Sequence, residues 1–251
     1  METQTIERLR ATRAAGAPAT VAAYAGAAAF VIAAGWFWLA TKNVTVAAPP
    51  QIGPHVPSVQ GMRIYYRWQV ITLPQERFYT VIAIAGFICL AMAASYLRDP
   101  GARGRRLTRI GALLTGAGAA TWITGSILQL GGHRAVGLMA THTNPIQTTN
   151  SIAFTIDMIA AAFALAAFAF IGTGMLAFAA ASAREHAGHR AWAGCTIVIA
   201  LTLLVLAWSY ATANGDLSDL LLIIDGLVLL PLWLIWTGRL GGIGPESPSV
   251  V

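Results

Sequence analysis

Six apolar stretches of about twenty residues or more divide this chain, and each is long enough, at about 1.5 Å of rise per residue, to cross a hydrocarbon layer about 30 Å thick. They run over 18–40, 78–97, 110–130, 151–182, 191–211 and 217–237. The expected fold is therefore an all-α integral membrane protein, a six-transmembrane-helix bundle. Composition agrees, because 57% of the 251 residues are hydrophobic and only 10% charged, too little polar material to cover a water-soluble globule. No polar stretch is long enough to bury a core of its own, so residues 1–251 read as a single polytopic membrane domain. The first stretch exceeds the core of a cleavable signal peptide and follows Arg8, Arg10 and Arg13, which marks it as an uncleaved anchor.

Six spans put both chain ends on one side, and basic residues say which. Cytoplasmic connections retain Lys and Arg. Eleven of the sixteen basic residues fall on the side of the termini, five of them (Arg98, Arg103, Arg105, Arg106, Arg109) in one short connection, whereas the opposite side holds Lys42, Arg63, Arg67, Arg77 and Arg134. Both termini are accordingly expected to be cytoplasmic, with the protein in the cell (plasma) membrane. The net charge of +6 does not imply nucleic acid, since the basic residues sit beside membrane ends rather than on one compact domain. Membrane lipids are the expected partner, with anionic head groups facing Arg103, Arg105 and Arg106.

The longest excursion is an outer loop, 41–77, between the first two spans. Pro49, Pro50, Pro54 and Pro57 forbid a regular helix in its first half. Its second half alternates, with Met62, Ile64, Tyr66, Trp68 and Val70 on one side and Arg63, Tyr65, Arg67 and Gln69 on the other, a period of two that reads as an extended segment. Lying over the outer helix ends, such a segment would make Tyr66, Arg67 and Trp68 a lid; the alternative is an aromatic anchor at head-group depth. Asn43-Val44-Thr45 has the pattern of a glycosylation sequon but lies close to the bilayer.

Small residues are abundant in the spans. Gly116, Ala120 and Thr124 fall four apart, the spacing that lets two backbones approach, and are expected to pack inside the bundle, with a homodimer seam as the alternative. Cys89 and Cys195 fall within spans two and five and read as packing residues, not as a disulfide.

Asp157 and Asp225 are the most informative residues, because an ionisable group within a span is costly unless it faces a partner or water. Each lies several residues in from the outer end of its span, at similar expected depth. If they face one cavity, they suit proton coupling, cation binding or general acid–base work; if not, each simply bonds a neighbouring helix. Gln129, His133, Arg134, His142, Asn144, Gln147 and Asn150 make the connection between spans three and four the most polar part of the chain. Asp157, Asp225, Gln129, His133, His142 and Asn150 form the candidate ligand- or proton-binding set.

No metal is expected, since His133 and His142 have no fixed ligand spacing, and Glu185-His186-Ala187-Gly188-His189 lacks the His-Glu-x-x-His order of zinc hydrolases. Haem is disfavoured because the histidines read as lying at or beyond helix ends, and no lysine lies inside a span to hold retinal. Pro231, in the last span, is expected to kink the helix below Asp225.

Three functions fit. The first is binding, with or without translocation, of a small lipophilic or cationic molecule from an outward-facing pocket. The second is a membrane enzyme using aspartate and histidine as acid and base on a lipid or isoprenoid substrate. The third is a non-catalytic subunit that docks a membrane protein partner through its small-residue faces.

Overall fold

The computed structural model describes residues 2–42, 44, 58–97, 105–141, 145–182 and 187–242. The proline-rich half of the 41–77 stretch, Asn43 of the sequon, His55, the 98–104 stretch of the arginine-rich connection, His142, Asn144 and Glu185-His186 lie outside them. The helices are α1 (Glu2–Thr41), α2 (Ser58–Tyr96), α3 (Arg105–Thr141), α4 (Ile146–Ser182), α5 (Ala187–Ala211), α6 (Gly215–Ile224) and α7 (Leu230–Gly242), the last two joined through a π-helical turn at Asp225–Leu229. Six helical runs, with α6 and α7 counted together, are long and apolar enough to cross a membrane. The chain is an all-α six-span bundle, a multi-pass membrane protein.

α1, with 40 residues, and α2, α3 and α4 are all much longer than a bilayer requires. α2 has 39 residues, α3 and α4 have 37 each, and at about 1.5 Å per residue all three exceed a hydrocarbon layer of about 30 Å by some 25 Å. The start of α2, the end of α3 and the start of α4 extend together as a three-helix lobe. Its own small core comprises Tyr66, Val136, Ala140, Ile146 and Ala153. Two polar ties brace it: the Tyr66 hydroxyl donates to Asn150 Oδ1 at 2.8 Å, and Arg63 Nη1 donates to the Ala140 carbonyl at 3.1 Å.

The lobe corrects the expectation of an extended segment at 62–70, which is helical. The alternation in that stretch coexists with a helical stripe, in which Met62, Tyr66, Thr72 and Leu73 turn toward α3 and α4 or are buried. A tertiary partner for that stripe decides the matter against the period of two. The ends of spans three and four shift for the same reason, because α3 continues to Thr141 and α4 begins at Ile146. His133 is thus a helical residue, not a loop residue.

α3 and α4 pack most closely of all, along glycines spaced seven apart. A Cβ on Gly111 would stand 2.9 Å from the Gly174 carbonyl oxygen, on Gly118 2.7 Å from that of Ala167, on Gly125 2.6 Å from Phe163 Cβ, and on Gly132 2.6 Å from Ile156 Cγ2. The Gly116, Ala120, Thr124 stripe does not pack inside the bundle as expected. Nothing lies within 4 Å of a Cβ built on Gly116, and Ala120 and Thr124 are exposed. Glycine removes the side chain that would hold two backbones apart, and the heptad row is the one that meets α4.

Away from the lobe the bundle is solid. Phe178, Trp192 and Trp233 pack together there, and Trp233 Nε1 donates to Thr196 Oγ1 at 3.1 Å. Thr20 of α1 bonds the Gly238 carbonyl of α7 at 3.3 Å, so the first and last spans close the ring of helices.

Candidate functional site

A partly open cavity of about 370 Å³ is lined by residues of all six spans. Its lining runs from Glu76 to Phe87 on α2, from His133 to Trp122 on α3, from Asp157 to Phe168 on α4 and from Asp219 to Leu230 on the last span. In each of these stretches the end residues are eleven steps apart, a depth of about 16 Å. The residue nearest the lobe in all four is titratable: Glu76, His133, Asp157 and Asp219. Phe30, Phe87, Trp122, Phe168, Leu203 and Leu230 form the opposite, apolar end. The cavity is a shaft, polar beneath the lobe and aromatic in mid-bundle.

At the polar end His133 lies between two carboxylates. Its Nε2 is 2.9 Å from Asp157 Oδ1 and its Nδ1 is 3.9 Å from Glu76 Oε2. A doubly protonated imidazole can offer a donor to each side. The ring is largely sheltered, whereas the Asp157 side chain is 54% exposed. α2, α3 and α4 each supply one member of this group, so the long helices that build the lobe also assemble it.

Asp225 sits deeper and is different in kind, being only 2% exposed. Its Oδ1 is 2.7 Å from Thr202 Oγ1 of α5, and its Oδ2 has no hydrogen-bond partner among the described residues. The π-helical turn explains its place. In an uninterrupted α-helix Asp219, Leu222, Gly226 and Leu230 share one face and Asp225 lies about 100° away. The wider turn brings both Asp225 and Gly226 to the cavity. Leu230 donates its backbone N–H to the Asp225 carbonyl, and Pro231 follows with no N–H to restore the tighter register. The expected disturbance at Pro231 therefore takes the form of this turn. Gly226 lets α1 approach this turn closely, since a Cβ there would stand 2.6 Å from Ala34 Cβ of α1.

Of the candidate residues named from sequence, Asp157, Asp225, Gln129 and His133 all line the cavity. Asn150 does not, being tied to Tyr66 in the lobe. Tyr66, Arg67 and Trp68 are not among the lining residues either: Tyr66 is buried in the lobe core and Arg67 is exposed on its surface. Glu76, Tyr79, Thr202, Tyr210 and Asp219 went unnamed. For Glu76 the signal was present, because Glu76, Tyr79, Thr80, Ala83 and Phe87 repeat at helical spacing, but the stretch before Phe78 read as loop.

Among the described residues no three His, Cys, Asp or Glu side chains converge closely enough to hold a metal ion. Among the described residues no lysine or arginine lines the cavity, and its polar chemistry there consists of four carboxyl groups, one imidazole and a few neutral groups such as Gln129, Ser126, Tyr79 and Tyr210. No known protein family, curated protein or solved structure matches the chain.

Proposed function

We propose that this membrane protein binds a small lipophilic or cationic molecule in the six-helix cavity, with Asp157 and Asp225 as its charged or proton-carrying contacts. The observation that carries this reading is that the two aspartates, on different helices, line one cavity whose remaining wall is largely aromatic and aliphatic. Its volume of about 370 Å³ lies within the range of small-molecule sites, and a mainly apolar wall with a few placed polar groups is their usual character. The lobe side carries Lys42, Arg63, Arg67, Arg77 and Arg134, the poorer share of basic residues, so the polar end faces away from the cytoplasm and the termini toward it. In this reading the ligand enters from outside, past Glu76, His133 and Asp157.

Native mass spectrometry of the gently purified protein identifies a co-purifying molecule, and its affinity is then measured for Asp157→Asn, Asp225→Asn and the double variant. The reading expects an organic ligand whose affinity falls in the double variant. Unchanged binding or transport in a folded double variant would sink it.

The Glu76, His133, Asp157 group favours one alternative, a membrane enzyme in which His133 and Asp157 exchange a proton with a lipid or isoprenoid substrate. It requires turnover by the purified protein that His133→Gln abolishes while ligand binding persists.

A further inference from the structure

We infer that Asp225 is the counter-charge for an organic ammonium ion held in the cavity, and that the ion is taken up in exchange for a proton on that carboxyl. This rests on the reading of the cavity as a ligand site and names the chemistry of its occupant.

Hydrogen-bond counting gives the first reason. The Thr202 hydroxyl has one proton, yet its oxygen lies 2.9 Å from the Ile199 carbonyl oxygen and 2.7 Å from Asp225 Oδ1. Each contact is a full two-centre hydrogen bond only when Asp225 is a carboxylic acid donating to Thr202 Oγ1, while Thr202 donates to Ile199; with a carboxylate the one proton is shared between two acceptors. Oδ2, buried and without a partner among the described residues, is the remaining atom at the cavity wall.

The second reason is what else lines the cavity with Asp225. From α1 come only Phe30, Ala33, Ala34 and Phe37; from α2, Glu76 and Tyr79; from α3, His133; from α4, Asp157; from α5, Tyr210; from α6, Asp219. None is a fixed cation, and His133 is already engaged with Asp157. A carboxylate at this depth has no positive partner among the described cavity residues, and an uncompensated buried charge is costly. A ligand that brings the positive charge removes that cost.

The third reason is the wall. Phe87 and Trp122 stack with centroids 4.3 Å apart, Phe30 meets Phe87 edge-on at 5.1 Å, and Phe168 stacks on Tyr210 at 5.9 Å. Aromatic faces attract ammonium groups and pack their hydrocarbon parts. A bare divalent metal ion would need several converging ligands, and no three His, Cys, Asp or Glu side chains converge among the described residues. The exchange balances: the neutral acid loses one proton, the resulting carboxylate pairs with one monovalent cation, and the charge of the site is unchanged.

The test uses phenethyltrimethylammonium, which has no proton to give, and its uncharged carbon isostere, each titrated calorimetrically into the full-length protein in buffers of different ionisation enthalpy. The wild type is expected to release about one proton per cation bound and none per isostere, with cation affinity falling about tenfold for each unit of pH below the site's titration. Asp225→Asn should weaken the cation by at least about tenfold and abolish proton release while keeping the isostere. His133→Gln should still release the proton. Cation binding without proton release in the wild type, or release lost in His133→Gln and kept in Asp225→Asn, overturns the inference while the cavity reading stands. Binding of neither probe overturns both. The wild-type proton count holds whether or not Asp225→Asn folds.

Discussion

His133 Nε2 lies 2.9 Å from Asp157 Oδ1, joining α3 to α4 at the polar end of the cavity, although the Asp157 side chain is 54% exposed. Solvent screens a pair of that exposure, so its contribution to stability is about 0–1 kcal/mol. A double-mutant cycle with His133→Gln and Asp157→Asn, read by thermal unfolding in detergent, should return a coupling in that range. A coupling of several kcal/mol would mean that the pair is there to hold the helices together rather than to meet a ligand.

The glycine seam makes a sharper prediction because it contrasts two glycines two residues apart, alike in composition but not in surroundings. Gly118→Ala places a Cβ 2.7 Å from the Ala167 carbonyl oxygen and 2.6 Å from Ile171 Cγ1, so backbone must move. The expected cost is about 1–3 kcal/mol. Gly116→Ala meets nothing within 4 Å and should be neutral or stabilising by up to about 1 kcal/mol, the gain in helix propensity. Equal effects in thermal unfolding would contradict the packing of α3 on α4.

That contrast also shows how far the residues themselves reveal the fold. The six spans are legible because membrane thickness imposes a length that no other pressure produces, and Asp157 and Asp225 stand out because charge in a span needs a reason. The lobe is not legible: the helix from Ser58 to Arg77 depends on Tyr66 finding Val136, Ala140, Ile146 and Ala153, which are distant in sequence. Small-residue spacing is ambiguous for a related reason. α3 carries both a four-residue row through Gly116 and a seven-residue row through Gly118, and only the neighbouring helix selects between them. Asp225 could be named from sequence, but the turn that brings it to the same wall as Gly226 could not.

Tyr66 separates a structural tie from a lid. Its hydroxyl bonds Asn150 Oδ1 at 2.8 Å and neither residue lines the cavity. Tyr66→Phe and Asn150→Ala should each cost about 0.5–1.5 kcal/mol and fail to add when combined, because they remove the same bond. Affinity for a cavity ligand should stay within about twofold, a difference under 0.5 kcal/mol. A large loss of affinity at unchanged stability would restore a lid role to this segment.

Ala164→Phe tests the cavity without touching any of its charges. Ala164 lines the wall on α4, one turn from Phe168 and part-way between Asp157 and the aromatic end, and only partly buried. A benzyl group there has open space of about 370 Å³ to occupy, so the overpacking cost that follows such a change in a filled core does not arise. The unfolding temperature should remain close to that of the wild type, and apolar burial by the new ring could raise it slightly. Ligand affinity should fall by at least about tenfold, since a volume the ligand needs has been taken by the protein. Charged and uncharged ligands should lose affinity alike, unlike the effect of removing Asp225. If the variant binds as the wild type does, the ligand sits elsewhere on the molecule; if it unfolds, the space between α4 and the other helices is smaller than the lining residues describe.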